Sequence, residues 1–114
     1  MKLKFLKHSH LIGDRFGTFM TYLSDVEAGG GTVFPILGVK ANAKKGSAIF
    51  WINLRSSGAV EPLTFHGGCP VLIGSKWISN KWISNNDQAF RFPCALNPNA
   101  VHGSYQKYKN WNTY

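Results

Sequence analysis

The sequence predicts a mainly all-β fold of antiparallel strands. Two observations carry this expectation. Val, Ile, Phe, Tyr, Trp and Thr gather in runs of four to eight residues, the length and composition of strands. Twelve glycines and five prolines divide the 114 residues between those runs, which favours short strands and turns over long helices. With 44% hydrophobic and 14% aromatic residues, the chain suffices for one small domain with a core of its own.

Residues 1–14 read as a divergent leader. Leu3, Phe5, Leu11 and Ile12 suit either a strand or a frayed helix, and His8 and His10 would share one side of any strand. They are half of a metal site at most, and exposed histidines otherwise. Residues 16–26 form the first clear strand, aromatic, β-branched and uncharged until Asp25, with Gly17 marking a bulge or a close backbone approach. Glu27-Ala28-Gly29-Gly30-Gly31 is expected to break it as a turn. The glycines lack the Lys-Ser/Thr of a phosphate loop and the spacing of a dinucleotide fingerprint.

Thr32-Val33-Phe34 is a short strand stopped by Pro35, and residues 40–46 are a polar, basic turn. Residues 47–54 make the second strong strand, and Arg55-Ser56-Ser57-Gly58 a loop. Residues 63–66 are read as a strand that ends on His66. Gly67 and Gly68 interrupt, and residues 70–73 resume an apolar run. Residues 76–85 repeat Lys-Trp-Ile-Ser-Asn in tandem. A period of five against a strand period of two puts Lys76, Ile78, Asn80 and Trp82 on one face, and Trp77, Ser79, Lys81 and Ile83 on the other. Residues 95–114 read as a poorly ordered tail in which Tyr105, Tyr108, Trp111 and Tyr114 could dock.

The net charge of +8 and the pI near 9.8 admit an acidic partner. The lysines, however, are scattered over the front, middle and end of the chain, which reads as a solvated basic face and implies no nucleic acid as partner. No segment approaches the ~20 apolar residues of a membrane span. Met1 to His8 is basic without the apolar core of a signal peptide, so none is visible. Cys69 and Cys94 admit two readings. They are unrelated thiols in a reducing compartment, or they close a loop of about 25 residues in an oxidising one, worth roughly 3–4 kcal/mol.

The chemistry gathers in residues 64–82. His66 follows a strand signal, and Lys76 comes ten residues later on the next strands. An imidazole can ligate iron in a site of two His and one carboxylate. A barrel-lining Lys can hold the far carboxylate of an acidic co-substrate as a point charge.

At these residues the chain resembles a known family. The matching pieces are Tyr22-Leu23-Ser24-Asp25-Val26-Glu27-Ala28-Gly29-Gly30, Thr32-Val33-Phe34-Pro35 and Lys44-Lys45-Gly46-Ser47-Ala48-Ile49-Phe50-Trp51. They continue with His66, Cys69-Pro70-Val71-Leu72, Gly74-Ser75-Lys76-Trp77, Ser79-Asn80-Lys81-Trp82, Gln88-Ala89-Phe90 and Pro93-Cys94. Over residues 15–94 the chain is similar to the C-terminal part of the Fe(II)/2-oxoglutarate dioxygenase domain of the collagen prolyl 4-hydroxylase alpha subunit.

The resemblance implies a partial double-stranded β-helix, the jelly-roll type of antiparallel sheets, with N-terminal strands missing. It implies His66 as an iron ligand, Lys76 as the residue that binds 2-oxoglutarate, and Thr32 and Trp51 as pocket lining. Cys69 and Cys94 would form a disulfide. Fe(II), 2-oxoglutarate and ascorbate would be required. The partners would be a proline-rich, collagen-like peptide and a protein disulfide isomerase-type beta subunit, in the endoplasmic reticulum lumen. The family's first two iron ligands form a His-x-Asp pair, and no His-x-Asp occurs in this sequence. The chain alone is therefore expected to be inactive, and its alternative role is that of a non-catalytic module that binds a peptide or a subunit. With fewer strands than a complete jelly roll, it is expected to expose edges and apolar faces.

Overall fold

A computed structural model describes residues 13–88, 91, 94–97, 99 and 100. The readings of residues 1–12 and of most of the tail lie outside these residues. Eight strands account for the regular structure: β1 (Arg15–Tyr22), β2 (Ala28–Gly29), β3 (Thr32–Phe34), β4 (Val39–Ala41), β5 (Ala48–Ile52), β6 (Gly67–Gly68), β7 (Val71–Ile73) and β8 (Ile78–Ser84). Among the described residues helix is confined to two single 3-10 turns, Pro62–Thr64 and Asn86–Gln88. The all-β expectation is met.

Every strand pairing is antiparallel. β1 lies between β5 and β8, β3 lies between β4 and β6, and β2 pairs with β7. β1 is the spine because it is long, β-branched and aromatic, and can bond on both edges. Beside Gly17 the register with β8 shifts, so that Arg15 meets Ser84 and Gly17 meets Ile83. The bulge expected at Gly17 is therefore present. Strict alternation would put Arg15 on the face of Phe19; the extra residue turns it to the face of Thr18 and Met20. A side chain at Gly17 would also press on the Phe50 ring, 3.1 Å from the Cβ position.

The buried residues of β1, β3 and β5 make the core. Met20, Tyr22, Phe34, Ala43 and Trp51 pack together, with Val26 and Ile49 half-buried against them. Tyr22 is 1% exposed, the most enclosed large side chain described. The other faces are open, as expected of a partial jelly roll. Leu72, Val60 and Phe65 are 76%, 74% and 68% exposed.

Four expectations are corrected. The first strand stops at Tyr22, because Leu23 and the residues after it turn toward β2. The glycine run is part strand, since Ala28 and Gly29 pair with Ile73 and Val71. The basic turn at 40–46 begins as strand: Lys40 and Ala41 pair with Val33 and Thr32, and the reversal comes earlier, at Pro35 to Gly38. Finally, residues 63–66 are not a strand. Pro62 sits at the start of a 3-10 turn whose first free N–H, on Leu63, is capped by Glu61 at 3.1 Å. Gly67 and Gly68 then supply the short strand β6, paired with Val33 and Thr32.

Candidate active site

The sheets and the loops between them line an open cleft of about 920 Å³. Thr32, Trp51, His66 and Lys76, the four site residues read from the sequence, all line it. So do Ile78, Asn80 and Trp82, the face expected to be shared with Lys76. The alternation within the tandem repeat holds for β8, Ile78–Ser84. Lys76 and Trp77, expected on the same strand, precede it, and Lys76 reaches the cavity from outside any strand.

His66 is set by the turn before it. The Thr64 hydroxyl lies 2.8 Å from the Ile52 carbonyl and 3.1 Å from the Glu61 carbonyl, which ties the turn to the end of β5. Glu61 is buried, caps Leu63 and lies 3.5 Å from Arg55 Nε. His66 Nδ1 is 2.7 Å from the Thr64 carbonyl oxygen. A carbonyl only accepts, so Nδ1 donates, and the neutral ring keeps its lone pair on Nε2. Two aromatic rings fix the imidazole plane: Trp51 at 4.5 Å between centroids and Phe34 at 5.4 Å. These two pack edge to face at 5.6 Å.

Trp51 is itself held. Its indole N–H donates to Asn53 Oδ1 at 2.9 Å, and Asn53 Nδ2 donates to Thr18 Oγ1 at 3.0 Å. Asn53 and Thr18 also face the cavity. The sequence reading missed both. The only available signal was two-residue periodicity, which puts Asn53 on the face of Trp51.

Lys76 carries the positive charge beside the β3 wall. Its Nζ lies 5.5 Å from the centroid of the Tyr22 ring, within cation–π range. Under that ring the Tyr22 hydroxyl is 2.6 Å from Thr32 Oγ1 and 3.5 Å from the Ala41 carbonyl. The group is a cation over an aromatic face, next to two buried hydroxyls. It suits an anion that is flat and carries oxygen acceptors. A second cation lies on the same cavity, where Arg15 sits 4.9 Å from the centroid of Trp82. The bulge in β1 is what places it there.

Cys69 and Cys94 are both free thiols in the structure, so the disulfide that the resemblance implies is not formed in it. Cys69 is half-buried, with its N–H on the Gly31 carbonyl at 2.8 Å. Cys94 is exposed, and its neighbour Ala95 bonds the Ser56 carbonyl at 2.8 Å.

Comparison with known proteins gives the family. A family model described as 2OG-Fe(II) oxygenase superfamily matches residues 3–84. The chain belongs to that superfamily. It is 52% identical over 84 residues to prolyl 4-hydroxylase subunit alpha-1 of Homo sapiens, covering 74% of this chain and 16% of that protein. It is also 52% identical over 82 residues to prolyl 4-hydroxylase subunit alpha-2 of Gallus gallus, covering 72% and 15%. Among solved structures it is similar to the viral collagen prolyl hydroxylase of Paramecium Bursaria Chlorella virus-1 in complex with 2OG. The TM-score there is 0.58 and the identity 39%, over 60% of this chain and 40% of that one. The chain thus spans about a sixth of the length of the curated relatives named here.

The superfamily implies Fe(II) and 2-oxoglutarate. Among the described residues no group of three His, Cys, Asp or Glu side chains could hold a metal ion. His66 is the one histidine among them and offers a single imidazole donor. The described donors alone do not fit an iron centre, whereas the cation and hydroxyls around Lys76 do fit a dicarboxylate.

Proposed function

We propose that this chain carries the 2-oxoglutarate pocket and one iron-ligating histidine of a procollagen-proline 4-dioxygenase. The observation that supports this best is the arrangement of Lys76 and Thr32 on the cavity that His66 also lines, with the buried Tyr22 ring facing Lys76 and its hydroxyl on Thr32. Lys76 anchors the distal carboxylate of 2-oxoglutarate as a point charge. Thr32 supplies a hydroxyl beside it, held from behind by the buried Tyr22 hydroxyl, and Trp51 walls the pocket. His66 presents Nε2 to Fe(II). When bound, the iron supplies the oxygen chemistry. The protein groups orient the co-substrate by holding its distal carboxylate, away from the 2-oxo acid end that reacts.

In this reading residues 15–94 are the C-terminal part of the dioxygenase domain, and residues 1–14 and 95–114 flank it. Ascorbate would be required alongside Fe(II), as the reductant that keeps the metal in its ferrous form. The substrate is proline in a collagen-like peptide, and the partner is a protein disulfide isomerase-type beta subunit in the endoplasmic reticulum lumen. Cys69 and Cys94 pair under oxidising conditions. Mass spectrometry of the oxidised chain reads that pairing as one linked peptide, and two alkylated cysteines would refute it.

The test of function is binding followed by turnover. The 114-residue chain should bind 2-oxoglutarate, and Lys76→Ala should abolish binding. Succinate release with a Pro-Pro-Gly repeat peptide and Fe(II) should stay at background, because the described residues offer one donor where the family chemistry needs three. Iron-dependent turnover would overturn the inactivity. A chain that ignores 2-oxoglutarate would overturn the pocket. The second reading, a non-catalytic module that binds a peptide or a subunit, draws on that same shortage of donors. Retention of a Pro-Pro-Gly peptide without turnover would favour it.

A further inference from the structure

Lys76 is the pocket residue with the least regular support. It lies between the end of β7 at Ile73 and the start of β8 at Ile78, in a stretch outside any strand. Its backbone is nevertheless tied on both sides. The β1–β8 ladder ends at the pair Tyr22 and Ile78. One further backbone bond follows, from Leu23 N–H to the Trp77 carbonyl at 2.8 Å. Beyond it a side chain takes over. The Ser24 hydroxyl donates to the Ser75 carbonyl at 2.9 Å and accepts the Trp77 N–H at 3.0 Å. These two partners are the residues immediately before and after Lys76.

We infer that Ser24 is a positioning residue for Lys76, and so for the carboxylate that Lys76 holds. This rests on the reading of Lys76 as the 2-oxoglutarate anchor. A hydroxyl is suited to the task because it donates once and accepts at the same atom, and so replaces a full ladder rung with one side chain. Ser24 lies in the bend that leads from β1 to β2, outside the residues that line the cavity. It acts only through the backbone. Without it, one backbone bond from Leu23 is left to hold the Trp77 end. The Lys76 stem is then free to leave the Tyr22 ring, which it now meets at 5.5 Å.

The experiment uses the 114-residue chain with Ser24→Ala, Ser24→Thr and Lys76→Ala, read by nuclear magnetic resonance and by titration with 2-oxoglutarate. In the wild type the Lys76 ε-methylene signal should be shifted by the Tyr22 ring current. Ser24→Ala should return it to the position of an exposed lysine and weaken 2-oxoglutarate binding by roughly three- to tenfold, the range of one or two modest hydrogen bonds. Ser24→Thr keeps the hydroxyl and should restore both. A Ser24→Ala chain with unchanged Lys76 signal and affinity would make Ser24 a simple strand cap and overturn the inference. Loss of both signals in Ser24→Thr as well would also overturn it. If the wild type binds no 2-oxoglutarate, the functional reading falls, and the Lys76 signal alone decides the link to Ser24.

Discussion

His66 donates its Nδ1 proton to the carbonyl of Thr64, two residues earlier, at 2.7 Å. The turn that carries the histidine therefore also selects its tautomer. Long-range nitrogen–proton spectra of the neutral ring should show Nδ1 protonated and Nε2 bare, and a ring protonated at Nε2 alone would contradict this geometry. His66 is exposed and makes this one hydrogen bond, so His66→Ala should change stability by only about 1 kcal/mol.

The buried hydroxyl pair under Lys76 gives a second prediction. Tyr22→Phe keeps the ring that faces Lys76 and removes the oxygen 2.6 Å from Thr32. It leaves the 3%-exposed Thr32 hydroxyl without that partner, which should cost about 1–3 kcal/mol. Thr32→Val should cost about as much. In the double variant the two losses should fall short of additive by about 1 kcal/mol or more in urea melts. Strict additivity would show that the two oxygens do not depend on each other.

The legible parts of the fold and the illegible parts have physical causes. β1, β5 and β8 could be read because each has apolar or β-branched residues enough to define a period of its own, and β3 and β7 because each is an apolar or β-branched run bounded by Gly or Pro. β2, β4 and β6 contain two or three residues each, among them Gly29, Lys40 and Gly67, and pair only because a stronger strand passes beside them. Residues 63–66 have strand composition, but Pro62 and the Glu61 cap decide for a turn; Glu61-Pro62 was the signal to weigh. The site was legible where it depends on alternation, as for Ile78, Asn80 and Trp82 on β8. It was not legible where it depends on tertiary approach. Tyr22 beneath Lys76 has no local signature. Gly17 signals the bulge but not that it turns Arg15 inward, and alternation puts Asn53 on the face of Trp51 but does not show that it holds the indole.

A third prediction concerns the Trp51 mount. Asn53→Ala frees the indole N–H and also the Thr18 hydroxyl, which is 4% exposed. A loss of about 1–2 kcal/mol is expected. The ring contact of Trp51 with His66 at 4.5 Å should loosen with it, so the His66 ring protons should move toward unshifted positions. Asn53→Asp keeps the acceptor for the indole, and the Thr18 hydroxyl can turn to donate to it. It should retain most of the His66 shift. If Asn53→Ala melts earlier yet leaves the His66 signals in place, Asn53 serves the core alone.

The glycines flanking the site give a graded series. Gly29 has φ +79, and an added Cβ would overlap the Pro70 carbonyl and meet Leu72 N at 3.0 Å. Both neighbours are backbone of or beside β7 and cannot rotate away. Gly29→Ala should therefore combine left-handed strain with a steric clash, a loss on the order of 3 kcal/mol. Because β7 leads to Lys76, 2-oxoglutarate binding should fall as well. Gly67 differs: nothing lies within 4 Å of its Cβ position and its φ is not left-handed. Gly67→Ala, one residue after His66, should thus be nearly neutral in the melt. Equal penalties at the two positions would mean that the β2–β7 contact is not as close as the structure places it.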